Sequence, residues 1–111
     1  MIELIIKQHL DGKLNVPIFL EKPSAQTGAY VVFEKTSGGK SNHLPTATIA
    51  FQSYHTTLFK AAELNEKLKE AVENLIELDE IRGLSLNSDY NFTDTTTKEH
   101  RYQAVYDIRH Y

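Results

Sequence analysis

The chain has 111 residues, twelve Lys and Arg against fifteen Asp and Glu for a formal net charge of −3, 41% hydrophobic and 24% charged residues, and no cysteine. This length predicts one domain around one core, because chains divide only at roughly 250 residues or more, and the composition argues against global disorder. The acidic balance argues against tight nucleic-acid binding, which draws most of its affinity from a basic stripe; the lack of cysteine excludes disulfides, thiolate catalysis and Cys-based metal sites.

At the start, Ile2, Ile5, Ile6 and Leu10 share one face at helical spacing, which predicts a short amphipathic helix stopped at Asp11-Gly12. The segment lacks the basic region and small-residue cleavage site of a signal peptide, and no apolar run is long enough for a membrane helix, so a chain made and kept in cytosol-like surroundings is expected. Val16 to Leu20 is a brief apolar run whose Pro17 marks an edge or strand start, since proline has no N–H for a ladder. A polar turn over residues 23–28 follows. Tyr30 to Thr36 then alternates, Val31 and Phe33 against Tyr30, Val32 and Glu34, as a strand does.

The stretch Ser37, Gly38, Gly39, Lys40, Ser41, Asn42, His43 has no apolar residue and is expected to be an exposed hairpin tip. Thr46 to Tyr54 alternates Ala47, Ile49, Phe51 and Ser53 against Thr48, Ala50, Gln52 and Tyr54, a third strand. Thr56 or Thr57 caps a helix over about 58–77, with an apolar stripe through Leu58, Ala61, Leu64 or Ala62, Leu68, Ala71, Val72, Leu75 and Ile76. Leu84 to Phe92 reads as a fourth strand. A second polar tip, 93–100, contains Thr95, Thr96, Thr97 and Lys98, and Tyr102 to Arg109 is a fifth strand. The order α-β-β-β-α-β-β with one-sided strands predicts an α+β fold, in which two helices cover one face of a mainly antiparallel sheet of about five strands.

The search for chemistry returns no site. Gly39-Lys40-Ser41 ends like a phosphate-binding loop, but Glu34 stands where the first glycine belongs and Leu44-Pro45 follows where a helix is required. The five histidines show no spacing that sets two ligands on a helix face, although His43 and His100 both fall in tips that could approach in space. Asp89 to Asp94 lacks the glycine and closing glutamate of a calcium loop. No serine lies in a nucleophile elbow, and Glu77, Asp79 and Glu80 read as a solvated helix exit. No catalytic residue, metal or cofactor is therefore expected. The six tyrosines are more informative. Several are placed by the alternation on the face the helices leave open, where they serve either a protein interface or the sheet itself.

Taken together, the short apolar first helix, the Val16-Pro17 strand and the run Tyr30-Val-Val-Phe-Glu-Lys-Thr-Ser-Gly-Gly form the first part of a wider pattern. Ala47 to Tyr54 leading into Phe59 to Lys67, and the ending Tyr102 to Arg109, complete it. Over nearly its full length the chain resembles the tail-completion, or tail-terminator, proteins of long-tailed bacteriophages and prophages, with the order of elements supplying most of the likeness. The resemblance implies a structural, non-enzymatic role. Several copies, commonly six, would form a ring on the end of the tail tube, stop its growth and present a surface to a head–neck connector protein. The expected partners are thus other copies of the chain, the tail tube protein and the neck. The resemblance implies no membrane and no specific nucleic acid, with DNA able to pass through the ring. The expected place is the virion tail or neck, assembled in the bacterial host. Within this reading, residues 37–43 and Thr95, Thr96, Thr97 and Lys98 are the candidate assembly contacts. Other head–tail adaptors or head-closure proteins, and a small host-derived ferredoxin-like enzyme or regulator, are the rival readings.

Overall fold

The computed structural model describes residues 1–41 and 43–111. Helix α1 spans Ile2–Lys13 and buries Ile2, Ile6 and Leu10, one residue per turn on a single stripe. The expected stop at Gly12 is not used. The helix runs one residue further and leaves through an extended Leu14, so no left-handed cap forms, while Lys7 and Asp11 pair across its last turns at 2.6 Å. Strand β1 is only Ile18–Phe19 and lies parallel to β2, Tyr30–Ser41. Pro17 sits at its start as expected, giving its carbonyl to the Val31 N–H at 2.9 Å.

Strand β2 continues past Thr36, where the sequence predicts a loop. It pairs with β3, Leu44–His55, as far as Ser41 opposite Leu44, so residues 37–41 are strand rather than tip. Backbone pairing does not require apolar side chains; a bulge at Thr36 lets the ladder resume with Ser37 opposite Thr48. His43, with φ 67°, turns the chain, and Asn42 lies outside the described residues.

Helix α2, Leu58–Glu73, starts at Thr57, whose hydroxyl accepts from the Lys60 N–H at 3.2 Å. The predicted helix to residue 77 divides here: Asn74–Glu77 tighten into a 3-10 turn, and the Asn74 side chain donates to the Glu70 carbonyl. Ala61, Leu64, Leu68, Ala71, Val72 and Leu75 are buried as expected, whereas Leu58 and Ile76 lie exposed at the two ends of the stripe. Lys69 reaches Glu66 one turn away at 3.0 Å and Asp89 across to the sheet at 2.5 Å.

Strands β4, Ile81–Asn91, and β5, His100–His110, form the long final hairpin, and the sheet order is β1-β2-β3-β5-β4. Apart from β1, all neighbours are antiparallel. The architecture is therefore the expected α+β fold, with both helices on one face of the sheet. The core lies between them: Val31, Phe33, Ile49, Phe51, Ala104, Tyr106 and Ile108 from the strands meet Ile6, Leu10, Leu68 and Val72 from the helices. Each fully buried aliphatic or aromatic side chain contributes about 1.5–3 kcal/mol through burial. His9 Nε2 donates to the Ala71 carbonyl at 2.8 Å and fastens α1 to α2. No helix is long and apolar enough to cross a membrane among the described residues.

Candidate assembly surfaces

The candidate contacts fall at opposite ends of the sheet. Antiparallel register sets Thr46 beside Arg109 and His55 beside His100, so the β2–β3 turn projects from one end and the β4–β5 turn from the other. His43 and His100 are consequently remote from each other, and the possible convergence of the two tips does not occur. The molecule measures 42 by 26 by 23 Å. Ser37, Gly38, Gly39 and Lys40 are exposed along β2, and His43 at the turn is exposed. Beyond Thr46 the hairpin has no β5 residue beside it, so its outer part is a two-stranded arm.

At the other end, Thr95, Thr96, Thr97 and Lys98 are also exposed but form a closed turn. Asp94 and Glu99 bridge its base, and Asp94 Oδ1 accepts from the Thr96 and Thr97 N–H groups at 2.9 and 3.3 Å. These bonds hold the Asp94 carboxyl below the usual carboxylate range. Lys98 adopts φ 59°, the left-handed conformation that completes the turn.

Glu99 ties this turn to the face opposite the helices. Lys22 donates to it at 2.6 Å, which lowers its pKa, and the Tyr30 hydroxyl donates to its other oxygen at 3.3 Å. Tyr30 and Tyr54 stack with centroids 4.4 Å apart and planes 6° from parallel; Phe19 meets Tyr30 edge-on. Arg101 lies over the rings of Tyr54 and Phe92 and donates to the Tyr54 hydroxyl at 2.8 Å. The hydroxyl of Tyr54 passes the chain on to Gln52, which bonds Gln103, and Gln103 reaches Tyr90. Burial, then the Glu99 charge, pushes the Tyr30 phenol up to about 12.

The sequence leaves two roles open for these tyrosines, and the geometry separates them. Tyr30 and Tyr54 are each only 2% exposed although they face away from the helices, so their area is already covered within the molecule. Tyr106 points into the helix-side core and donates to Glu73 at 2.7 Å; burial raises its pKa. Tyr90 and Tyr111 remain exposed, together with Leu86 and Phe92 near the β4 edge. The coupling of Lys22, Glu99 and Arg101 to this stack was not legible in the sequence, because the groups come from positions far apart in the chain.

Glu99 supplies a pH test. Its folded pKa lies below the ordinary value, so the unfolded chain binds more protons between the two, and stability grows with pH across that interval. The contribution is complete above the ordinary carboxylate pKa, about 4.3, and is lost as pH falls through the folded value. Asp94 acts with the same sign. Acidification below about pH 4 is therefore expected to loosen the 94–99 turn before the core, seen as faster amide exchange at Thr96 and Thr97 by NMR; unchanged exchange there would refute the linkage.

The residues that line the clefts add little chemistry. A groove of about 520 Å³ between the α1 exit and α2 is lined by Lys13, His55, Lys60, Glu63, Lys67 and Glu70 among others. A hollow of about 230 Å³ beside Tyr30, Tyr54, Glu99 and His100 holds two of the groups with displaced pKa values, and both are engaged in the network already described. No cluster of three or more His, Asp or Glu suited to a metal occurs among the described residues. Compared with known proteins, the chain matches no protein-family model and no curated protein.

Proposed function

We propose that this protein is a structural component of a phage tail, a tail-completion protein whose copies form a ring that caps the tail tube and joins it to the head neck. The sequence resemblance described above suggests the role. The observation that carries it furthest is the shape of the sheet. Its two open edges differ from each other and lie on opposite sides, and two unlike turns project from its ends. A ring needs such heterologous surfaces, since each copy offers one patch and receives a different one. In this reading residues 37–43 and Thr95 to Lys98 are the candidate contacts to neighbouring copies, tube or neck, and the mechanism is binding without chemistry.

Electron microscopy of particles from a phage or prophage lacking the gene tests this. Tails of uncontrolled length, or tails unjoined to heads, are expected. Normal joined virions would overturn the proposal, and full heads beside tails of normal length would indicate a different neck component.

A further inference from the structure

Sheet edges with unused backbone groups are templates for another strand, and proteins normally shield them. Here β1 covers only Val31 and Val32 of β2, and β4 has a neighbour on one side only. Which groups face outward follows from the ladders, where residues alternate between bonding the partner strand and pointing away from it. The Val31 N–H reaches Pro17 on the β1 side, so Val31, Phe33 and Lys35 point outward. The bulge at Thr36 resets the alternation, and Gly38 and Lys40 follow. On the far edge the Phe92 N–H bonds the Arg101 carbonyl, which turns Tyr90 and Ser88 toward β5 and leaves Asn91 and Asp89 outward. A bulge at Asn87 resets this strand as well, and Leu86 and Leu84 face out.

The two edges therefore carry the same pattern, a pair of outward residues on either side of a central bulge. Laid antiparallel, Phe33 falls opposite Asn91, Lys35 opposite Asp89, Gly38 opposite Leu86 and Lys40 opposite Leu84, with bulge against bulge. Strand direction agrees. Three antiparallel steps separate β2 from β4, so copies standing side by side in one orientation meet antiparallel at these edges. The faces agree too, because Lys35 is registered with Ile49 and Asp89 with Ala104, both on the helix side.

Charge supports the same register. Neither Lys35 nor Lys40 has a carboxylate within 4 Å among the described residues. Asp89 and Glu66 share the single ammonium of Lys69, an acid surplus at the β4 edge, and the Glu66 side chain is 71% exposed. Leu86 is 46% exposed and would lie against Gly38, over which the Lys35 side chain folds in the single copy, so Lys35 swings off Gly38 toward Asp89 as the strands pair.

We propose that β2 of one copy pairs antiparallel with β4 of a second copy of this chain, in the register that sets Lys35 against Asp89, and that this repeated pairing is the contact between neighbours. The inference deepens the ring reading by naming its joint. The absence of native cysteine makes the test direct. Gly39 and Ser85 fall opposite each other in a position without mutual backbone bonds, where Cα atoms approach to about 4.5 Å, inside the range a disulfide spans. Serine to cysteine at 85 is nearly isosteric, and a Cβ at Gly39 meets only the Thr46 hydroxyl at 3.3 Å.

Oxidation of the double variant Gly39→Cys, Ser85→Cys is expected to give a series of covalent dimers, trimers and larger species on a non-reducing gel. Each single variant should give none, and adding Lys35→Glu should abolish the series while circular dichroism stays unchanged. Cross-linking of the Gly39→Cys single variant would reveal a two-fold β2–β2 contact and overturn the proposal. Oligomers in sedimentation that fail to cross-link would overturn this register and leave the ring reading standing. Monomers at every concentration would overturn the pairing, and the gene-loss experiment would then judge the ring reading on its own.

Discussion

Phe51→Ala is expected to destabilise the protein by about 3–5 kcal/mol, the range for removing a buried aromatic ring. Phe51 is on β3, flanked by β2 and β5, and is fully buried between Phe33, 5.6 Å away, and Tyr106, which meets it edge-on at 6.0 Å. The cavity would open at the centre of the sheet, where both neighbours are held by ladders and the helices cannot settle into the gap. Since domains have only about 5–15 kcal/mol of stability in total, the loss would be a large fraction of what holds the fold. Urea denaturation monitored by circular dichroism measures it. A change below about 1 kcal/mol, well under the cavity range, would mean that the Val31–Phe33–Phe51–Tyr106 cluster is not the core.

Tyr54→Ala should cost nearly as much, about 3 kcal/mol on the same scale, although Tyr54 lies on the opposite face. The substitution removes the stack on Tyr30, the surface beneath Arg101 and the hydroxyl that bridges Arg101 to Gln52. Tyr54→Phe keeps the ring and removes only the bridge, so a loss of about 1–2 kcal/mol is expected, the cost of a broken hydrogen bond that leaves polar groups short of a partner. The pair of variants separates two roles. If Tyr54 served chiefly as an interface residue, Tyr54→Ala would leave monomer stability unchanged and weaken assembly alone.

Much of the fold was legible because its signals are local. Val31 and Phe33, Ala47, Ile49 and Phe51, and Ala104, Tyr106 and Ile108 alternate in the sequence as they alternate in the sheet, and the α2 stripe follows a single period. Residues 37–41 look like a loop in the sequence because serine and glycine carry no burial signal, whereas their pairing depends on a partner strand and a bulge at Thr36. Asn65 is buried within the α2 stripe, where its amide donates to Asp89 at 2.7 Å; polarity hid it from a hydrophobic pattern. The exposure of Lys40 and of Thr95 to Lys98 was evident from composition, but their separation to opposite ends depends on strand order, which no local window contains. The open edges were hidden for the same reason. Which strands remain at the edges is set only once β5 has entered between β3 and β4.

That insertion has a kinetic consequence. Phe51 meets Ala104 and Ala47 meets Ile108 across about half the chain, so the middle of the sheet closes only after residues 100–110 have been made. Until then β2, β3 and α2 can associate locally, but the side of β3 that will receive β5 stays open, and its Ile49 and Phe51 are only partly covered. Long-range closure of this kind slows folding, because chain entropy is lost before the contacts form. During synthesis the nascent chain therefore passes through a stage with an extra unpaired edge, next to other chains that display the same strand. The speed with which β5 docks governs how much material escapes that stage as folded subunits rather than aggregate.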